Sequence, residues 1–341
     1  MIVQMRPKLI ARREGEGYSM LFPPRVTGDD ISKAVKLAGQ KFPQRMLMVL
    51  HDGVAPAANV PAIDCRSFPI EQFQKLDLSN LAFVYACSNH FNGREFAKHL
   101  LAKRCPFIPV WTFGPAMYVD HNKVAHQVLE NEWHSQNEEG YAKWDSGPGD
   151  FINLCQALEI TRQREGVFLE IGCFRGSSGS VAMHYMNEAG IYRDAHFFDV
   201  FEGFEYDAAR KSADAIWSGT HATDGIAAVE RRLKRHEKAQ AGLNVFVCRH
   251  NIVEEEIPAE IDKIAVANVD VDLYEAVLAG LIKVAPRMAS GGIIVVEDPG
   301  HTPALVGARV ALEEFLATKA AADFTPVHME SGQTFLIRRE K

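Results

Sequence analysis

The stretch VANVDVDLYEA, residues 266–276, begins as a strand and ends in charge. Five of the six residues from Ile264 to Val269 are Ile, Ala or Val, the composition of a strand buried on both faces. The run stops at Asp270-Val271-Asp272. A second run, GGIIVVEDPG at 291–300, has the same form and stops at Glu297-Asp298. Isolated carboxylates are costly to take out of water unless a partner compensates them. Two apolar strands that each finish in a pair of acids imply either solvated strand ends or a positive species held between them.

Working outward, the second half of the chain alternates strand and helix. VFLEIG (167–172), AHFFD (195–199), LNVFVC (243–248), KIAVANVD (263–270) and GIIVVED (292–298) read as strands. Helical spacing appears from about Ser178, over 225–239, at about 273–286 and over 304–320. FTPVHMESGQTFLIRR reads as two strands around Ser331-Gly332. Strand–helix alternation with apolar strands predicts an α/β fold: a Rossmann-like, doubly wound parallel sheet whose terminal hairpin adds one antiparallel edge.

The first third carries candidate strands at 45–50, 81–86 and 107–111 and a helical pattern at 92–104, without a glycine-rich phosphate loop. This predicts a smaller N-terminal α/β domain. Residues 112–150 are polar and end in the Gly/Pro cluster SGPGD, so the junction is expected there. The division is 1–135 for an accessory domain and 136–341 for the larger one.

A net charge of −7 gives no support for a nucleic-acid surface or an anionic membrane surface. The N-terminus lacks the continuous apolar core of a signal peptide, and no run approaches the roughly 20 apolar residues of a membrane helix. The six cysteines form no CxxC pair. These features predict a reduced, cytoplasmic protein with structural thiols. A homo-oligomer stays open.

LEIGCFRGSSG, residues 169–179, is a strand ending in an acid and followed by Gly172, Gly176 and Gly179. Glycine after a strand permits a tight turn and close approach of a ligand to the backbone. In open parallel sheets, ligands sit beyond the carboxyl ends of the strands. The next strand also ends in an acid, Asp199, the position from which a carboxylate accepts hydrogen bonds from ribose hydroxyls. A nucleoside ligand follows, either NAD or S-adenosylmethionine. The spacing is neither GxGxxG nor a Walker loop.

Taken in order, LEIGCFRGSS, FFDVFEGF, NVDVDLYEAVLAGLIKVAPRMASGGIIVVEDPG and GARVALEEF resemble the macrocin O-methyltransferase (TylF-like) family over about residues 165–340. That resemblance implies a sugar O-methyltransferase that uses S-adenosylmethionine and a metal. The family's D-S-F-E-G-L is Asp199-Val-Phe-Glu-Gly-Phe here, and Pro299 replaces an aromatic residue.

On this reading Glu170, Gly172, Gly176, Ser177, Asp199 and Glu202 serve the cofactor. Asp270, Glu297 and Asp298, brought to one rim by neighbouring strands, hold Mg2+, a hard cation that takes oxygen ligands. Asp272, which the family's pattern does not require as a ligand, is the expected general base, with His301 second. The acceptor is a hydroxyl of a sugar, glycan or glycosylated metabolite. Three alternatives remain: an NAD-dependent oxidoreductase, a related metal-dependent hydroxylase-like enzyme, and a non-catalytic binding protein.

Overall fold

The computed structural model describes residues 28–51, 64–67, 75, 77–87, 97–111, 123–140, 148–212, 214–300 and 306–340. The chain divides into two compact units, Met1–His121 and Asn122–Lys341.

In the first unit, helix α1 (Gly28–Lys41) precedes strands β1 (Met46–His51), β2 (Asp64–Ser67), β3 (Leu81–Cys87) and β4 (Phe107–Trp111). The strands form a parallel sheet in the order β2-β1-β3-β4. Side chains alternate across a strand, so β3 feeds two cores. Val84 packs with Val49 and with Ile31 and Ala34 of α1, whereas Phe83 and Tyr85 pack with Met48 and Leu100. Strand β2, with the polar sequence DCRS, carries no hydrophobic pattern and was not anticipated. Of the helix expected over 92–104, residues 97–102 are helical and 92–96 lie outside the described residues.

The second unit opens with helices α2 (Lys123–Glu138) and α3 (Pro148–Ile160). Then come β5 (Val167–Ile171), α4 (Ser177–Ala189), β6 (Ala195–Asp199), α5 (Asp207–Lys211), α6 (Ile226–Leu233) and β7 (Val245–Arg249). The chain continues through β8 (Ile264–Val269), α7 (Tyr274–Val284), β9 (Met288–Val296), α8 (Val306–Leu316), β10 (Phe324–His328) and β11 (Thr334–Arg338). The sheet order is β10-β11-β9-β8-β5-β6-β7. Strands β5 to β9 are parallel, and β11 and β10 add the antiparallel edge expected of the terminal hairpin.

The chain runs outward from β5 through β6 to β7, then crosses back to lay β8 on the other side of β5. The reversal makes the carboxyl ends of β5 and β8 a topological switch point, where a ligand crevice opens. Every residue of β8 is buried. Val277, Leu281 and Val284, at helical spacing on α7, pack against β8 in a core that also takes Phe315 of α8.

Helix α2 lies where the sequence suggested a linker, and it packs on α4 within the second unit. Its buried stripe is Ala125, Val128, Leu129, Glu132 and Gln136. Two of those five are polar, which breaks the hydrophobic period a sequence reading relies on. Among the described residues, no helix is long and apolar enough to cross a membrane.

Candidate active site

The turn after β5 is built around Gly172. Its φ is +93°, and its N–H donates to the Phe198 carbonyl at 2.8 Å. A Cβ here would lie 2.6 Å from the carbonyl carbon of Asp270 and closer still to its oxygen. Only glycine lets the ends of β5 and β8 approach this closely. Gly176, at φ +83°, turns the chain into α4, which begins at Ser177.

Beneath the turn, Glu170 is fully buried and accepts from Asn268 Nδ2 on β8 at 2.9 Å. Burial pushes its carboxyl up to about 7, against hydrogen bonds from Ser178 and Asn268 that favour the charge. Its role in the geometry is to brace β5 against β8 below the turn.

Asp199 ends β6 and lines the cleft. Its two oxygens accept the Phe174 N–H at 2.8 Å and the Phe201 N–H at 2.7 Å. Burial raises its pKa, and these backbone donors oppose the rise. Asp199 therefore shapes the loops on both sides of it. Each oxygen keeps a lone pair with which to accept a ligand hydroxyl. Glu202 is not in the cleft lining: its side chain is 60% exposed and pairs with Arg249 at 2.7 Å.

The cleft runs from Gly172 and Phe174 past Asp199 to His250 and Asn251, and back to Asp270 and Asp272. His250 stacks on Phe198 with centroids 4.4 Å apart. Burial lowers its pKa, against the opposing pull of Glu255. His221 also lines the cleft. On sequence grounds each could line the cleft, although a lone imidazole in a loop is more often solvated. His301 lies outside the described residues.

At the other end of the cleft, oxygens of Asp270, Glu297 and Asp298 all lie within 4.8 Å of one another. Glu297 and Asp298 are 4% and 3% exposed. Burial pushes Asp270 well above the usual carboxylate range, and repulsion from Asp298, Asp272, Glu170 and Asp150 adds to it. Glu297 rises for the same reasons, burial first and then Asp270, Asp298 and Asp150. Glu297 Oε1 is buried without a hydrogen-bond partner. An oxygen-only set, two of its three acids buried and their charges repelling, with an orphaned acceptor among them, fits a hard divalent cation.

Asp272 follows in left-handed backbone, φ +56°, and its N–H donates to Asp298 Oδ2 at 3.0 Å. That bond ties the turn after β8 to the end of β9. Asp150, in the first turn of α3, is a fourth acid that acts on Asp270 and Glu297. The sequence reading took it for part of a Gly/Pro turn. The Pro at the start of a helix, with an acid in its first turn, was the available signal.

Residues 150–329, just over half of the 341-residue chain, match the family model for Macrocin-O-methyltransferase (TylF). Among solved structures, the O-methyltransferase NovP is 20% identical over 57% of this chain and 81% of its own, with a TM-score of 0.47. The calicheamicin methyltransferase CalS11 is 17% identical over 63% of this chain and 91% of its own, with a TM-score of 0.46. An O-methyltransferase from Bacillus cereus, in complex with SAH, is 14% identical over 63% and 91%, with a TM-score of 0.39. Curated proteins gave no match.

Proposed function

The chain belongs to the macrocin-O-methyltransferase (TylF) family and is an S-adenosylmethionine-dependent O-methyltransferase; from that premise we propose a metal-assisted transfer to a sugar hydroxyl. The acceptor is a hydroxyl of a sugar or glycosylated metabolite, and Mg2+ is held by Asp270, Glu297 and Asp298. The observation that carries this reading is the double use of Asp270. Its backbone carbonyl walls the glycine turn, and its carboxylate belongs to the acid cluster. Methyl donor and acceptor oxygen are thereby brought together within one residue's reach.

When bound, S-adenosylmethionine supplies an electrophilic methyl group, and Mg2+ supplies a Lewis acid that lowers the pKa of a hydroxyl. The chain supplies the rest. Gly172, Gly176 and Ser177 admit the amino-acid end of the cofactor, and Glu170 keeps their turn rigid from below. Asp199 accepts from the ribose through the lone pairs its backbone donors leave free. His250 and Asn251 flank the far end of the cleft. Asp270, Glu297 and Asp298 orient the acceptor oxygen.

Asp272, held by Asp298 through its backbone, takes the acceptor proton as the C–O bond forms and the C–S bond breaks. His301 is the second candidate for that proton. Holding the reacting atoms in line at close range supplies much of the acceleration. The first unit is assigned to acceptor binding or self-association.

The test is calorimetry with S-adenosylhomocysteine and NAD, followed by a panel of sugar acceptors assayed for methyl transfer. Binding of NAD but not S-adenosylhomocysteine would contradict the assignment.

A further inference from the structure

A second cluster of metal-ligating side chains lies outside the cleft. Glu132 of α2, His184 of α4 and His236 of the 3-10 turn Lys234–His236 present one ligand atom each, all within 4.8 Å of one another. Glu132 Oε1 is 2.7 Å from His184 Nδ1 and 2.9 Å from His236 Nε2. The two imidazoles stack face to face, with centroids 4.2 Å apart and planes 10° from parallel. The Glu132 side chain is 4% exposed, and both histidines are largely buried. None of the three lines the cleft.

The composition of this set differs from the acid cluster in the cleft. Two imidazoles and one carboxylate are borderline ligands suited to Zn2+ and its first-row neighbours, and His2Glu is an established zinc donor set. Mg2+ prefers oxygen and keeps its water. The two parallel rings come from separate elements and converge on the same carboxylate oxygen, which gathers both ring nitrogens and the carboxylate into one ligand set.

We propose that Glu132, His184 and His236 form a second metal site, which takes a first-row transition cation such as Zn2+ and clamps α2 to α4. The clamp has a route to the cleft. One turn along α2 from Glu132, Gln136 Nε2 reaches the carbonyl of Ser177, the first residue of the cofactor helix, at 3.3 Å. His184 sits seven residues further on, about 10 Å along that helix. The ion would fix the outer helix against the element that carries the glycine turn.

The experiment uses the full-length, untagged chain carrying Asp270→Asn and Glu297→Gln, so that the acid cluster no longer competes. After stripping with EDTA it is titrated with Co2+, whose visible d–d bands report low-coordinate nitrogen ligation. The expected result is one Co2+ per chain, displaced by stoichiometric Zn2+ and not by excess Mg2+. His184→Ala and the milder His236→Gln, each added to that background, should weaken Co2+ binding by more than about 100-fold, beyond the usual loss of an outer partner. Zn2+ should raise the melting temperature of the chain with both histidines intact and not of the His236→Gln form. Absence of the bands in the background protein, or unchanged affinity in folded His236→Gln, would overturn the proposal. Should His184→Ala fail to fold, His236→Gln decides, because it leaves the Glu132–His184 contact in place.

Discussion

Gly172 and Asp270 touch backbone to backbone across the switch point of the sheet. A Cβ on Gly172 would overlap the Asp270 carbonyl, and the glycine already sits at φ +93°. One contact thus sets the distance between the turn assigned to the cofactor and the acids assigned to the metal. Gly172→Ala should lower the melting temperature and abolish measurable S-adenosylhomocysteine binding, because relieving the overlap pushes β5 and β8 apart. Calorimetry and a thermal melt on the same sample check this. Wild-type affinity in the variant would mean that the approach of these strands does not shape the site.

Asp199 should matter before any ligand arrives. It accepts two backbone N–H groups, and each such bond to a charged acceptor is worth about 1.5–3 kcal/mol. Asp199→Ala should therefore destabilise the cofactor-free protein and also weaken S-adenosylhomocysteine binding. A purely ligand-binding aspartate would leave the cofactor-free melt unmoved, so denaturant unfolding without cofactor separates the two roles.

Glu170 predicts a pH dependence. Its folded pKa, about 7, lies above the ordinary 4.5. A carboxyl raised on folding contributes stability that is full below its unfolded pKa and is lost as pH rises through the folded value. Stability should fall between about pH 4.5 and 7, by up to about 3 kcal/mol from this group. Glu170→Gln keeps the size and the partner Asn268 but cannot ionise. Unfolding measured from pH 5 to 8 should lose that component of the slope in the variant, and identical slopes would refute it.

The acid cluster makes a linked prediction. Asp270 and Glu297 hold protons above the usual carboxylate range because they are buried and repel each other. Mg2+ must displace those protons, so its affinity should rise with pH and binding should release protons. Calorimetry of Mg2+ binding in buffers of different ionisation enthalpy measures the release. A buffer-independent heat would contradict shared protonation of the cluster.

The parts of this account legible in the sequence are those carried by short-range pattern. The apolar runs ending at Asp270 and at Glu297-Asp298 located β8 and β9, and parallel pairing of those strands set their acids side by side. Gly172 and Gly176 marked the turn because no other residue suits a tight reversal after a strand. What stayed hidden depends on tertiary partners. Helix α2 buries Glu132 and Gln136, whose polarity reads as exposure until His184, His236 and Ser177 are seen opposite them. Asp150 looked like a turn residue until α3 brought it beside the acid cluster. Glu202 sits one turn from Asp199 in sequence, yet its side chain goes to Arg249 on the next strand.

Asp272→Asn should separate the base from the ligands. It should leave Mg2+ and S-adenosylhomocysteine affinities nearly intact and lower turnover by about 10²–10⁴-fold, the usual worth of a positioned general base. Equal losses of metal affinity in Asp272→Asn and Asp270→Asn would assign both to the metal.

The central claim is that the acids at the ends of β8 and β9 hold a metal that serves methyl transfer at the neighbouring glycine turn. Its most direct measurement is transfer of a labelled methyl group from S-adenosylmethionine to a sugar hydroxyl, before and after chelation with EDTA. The account predicts that chelation stops transfer and that added Mg2+ restores it in the parent chain, with weaker restoration in Asp270→Asn. Full transfer by metal-free protein would contradict it.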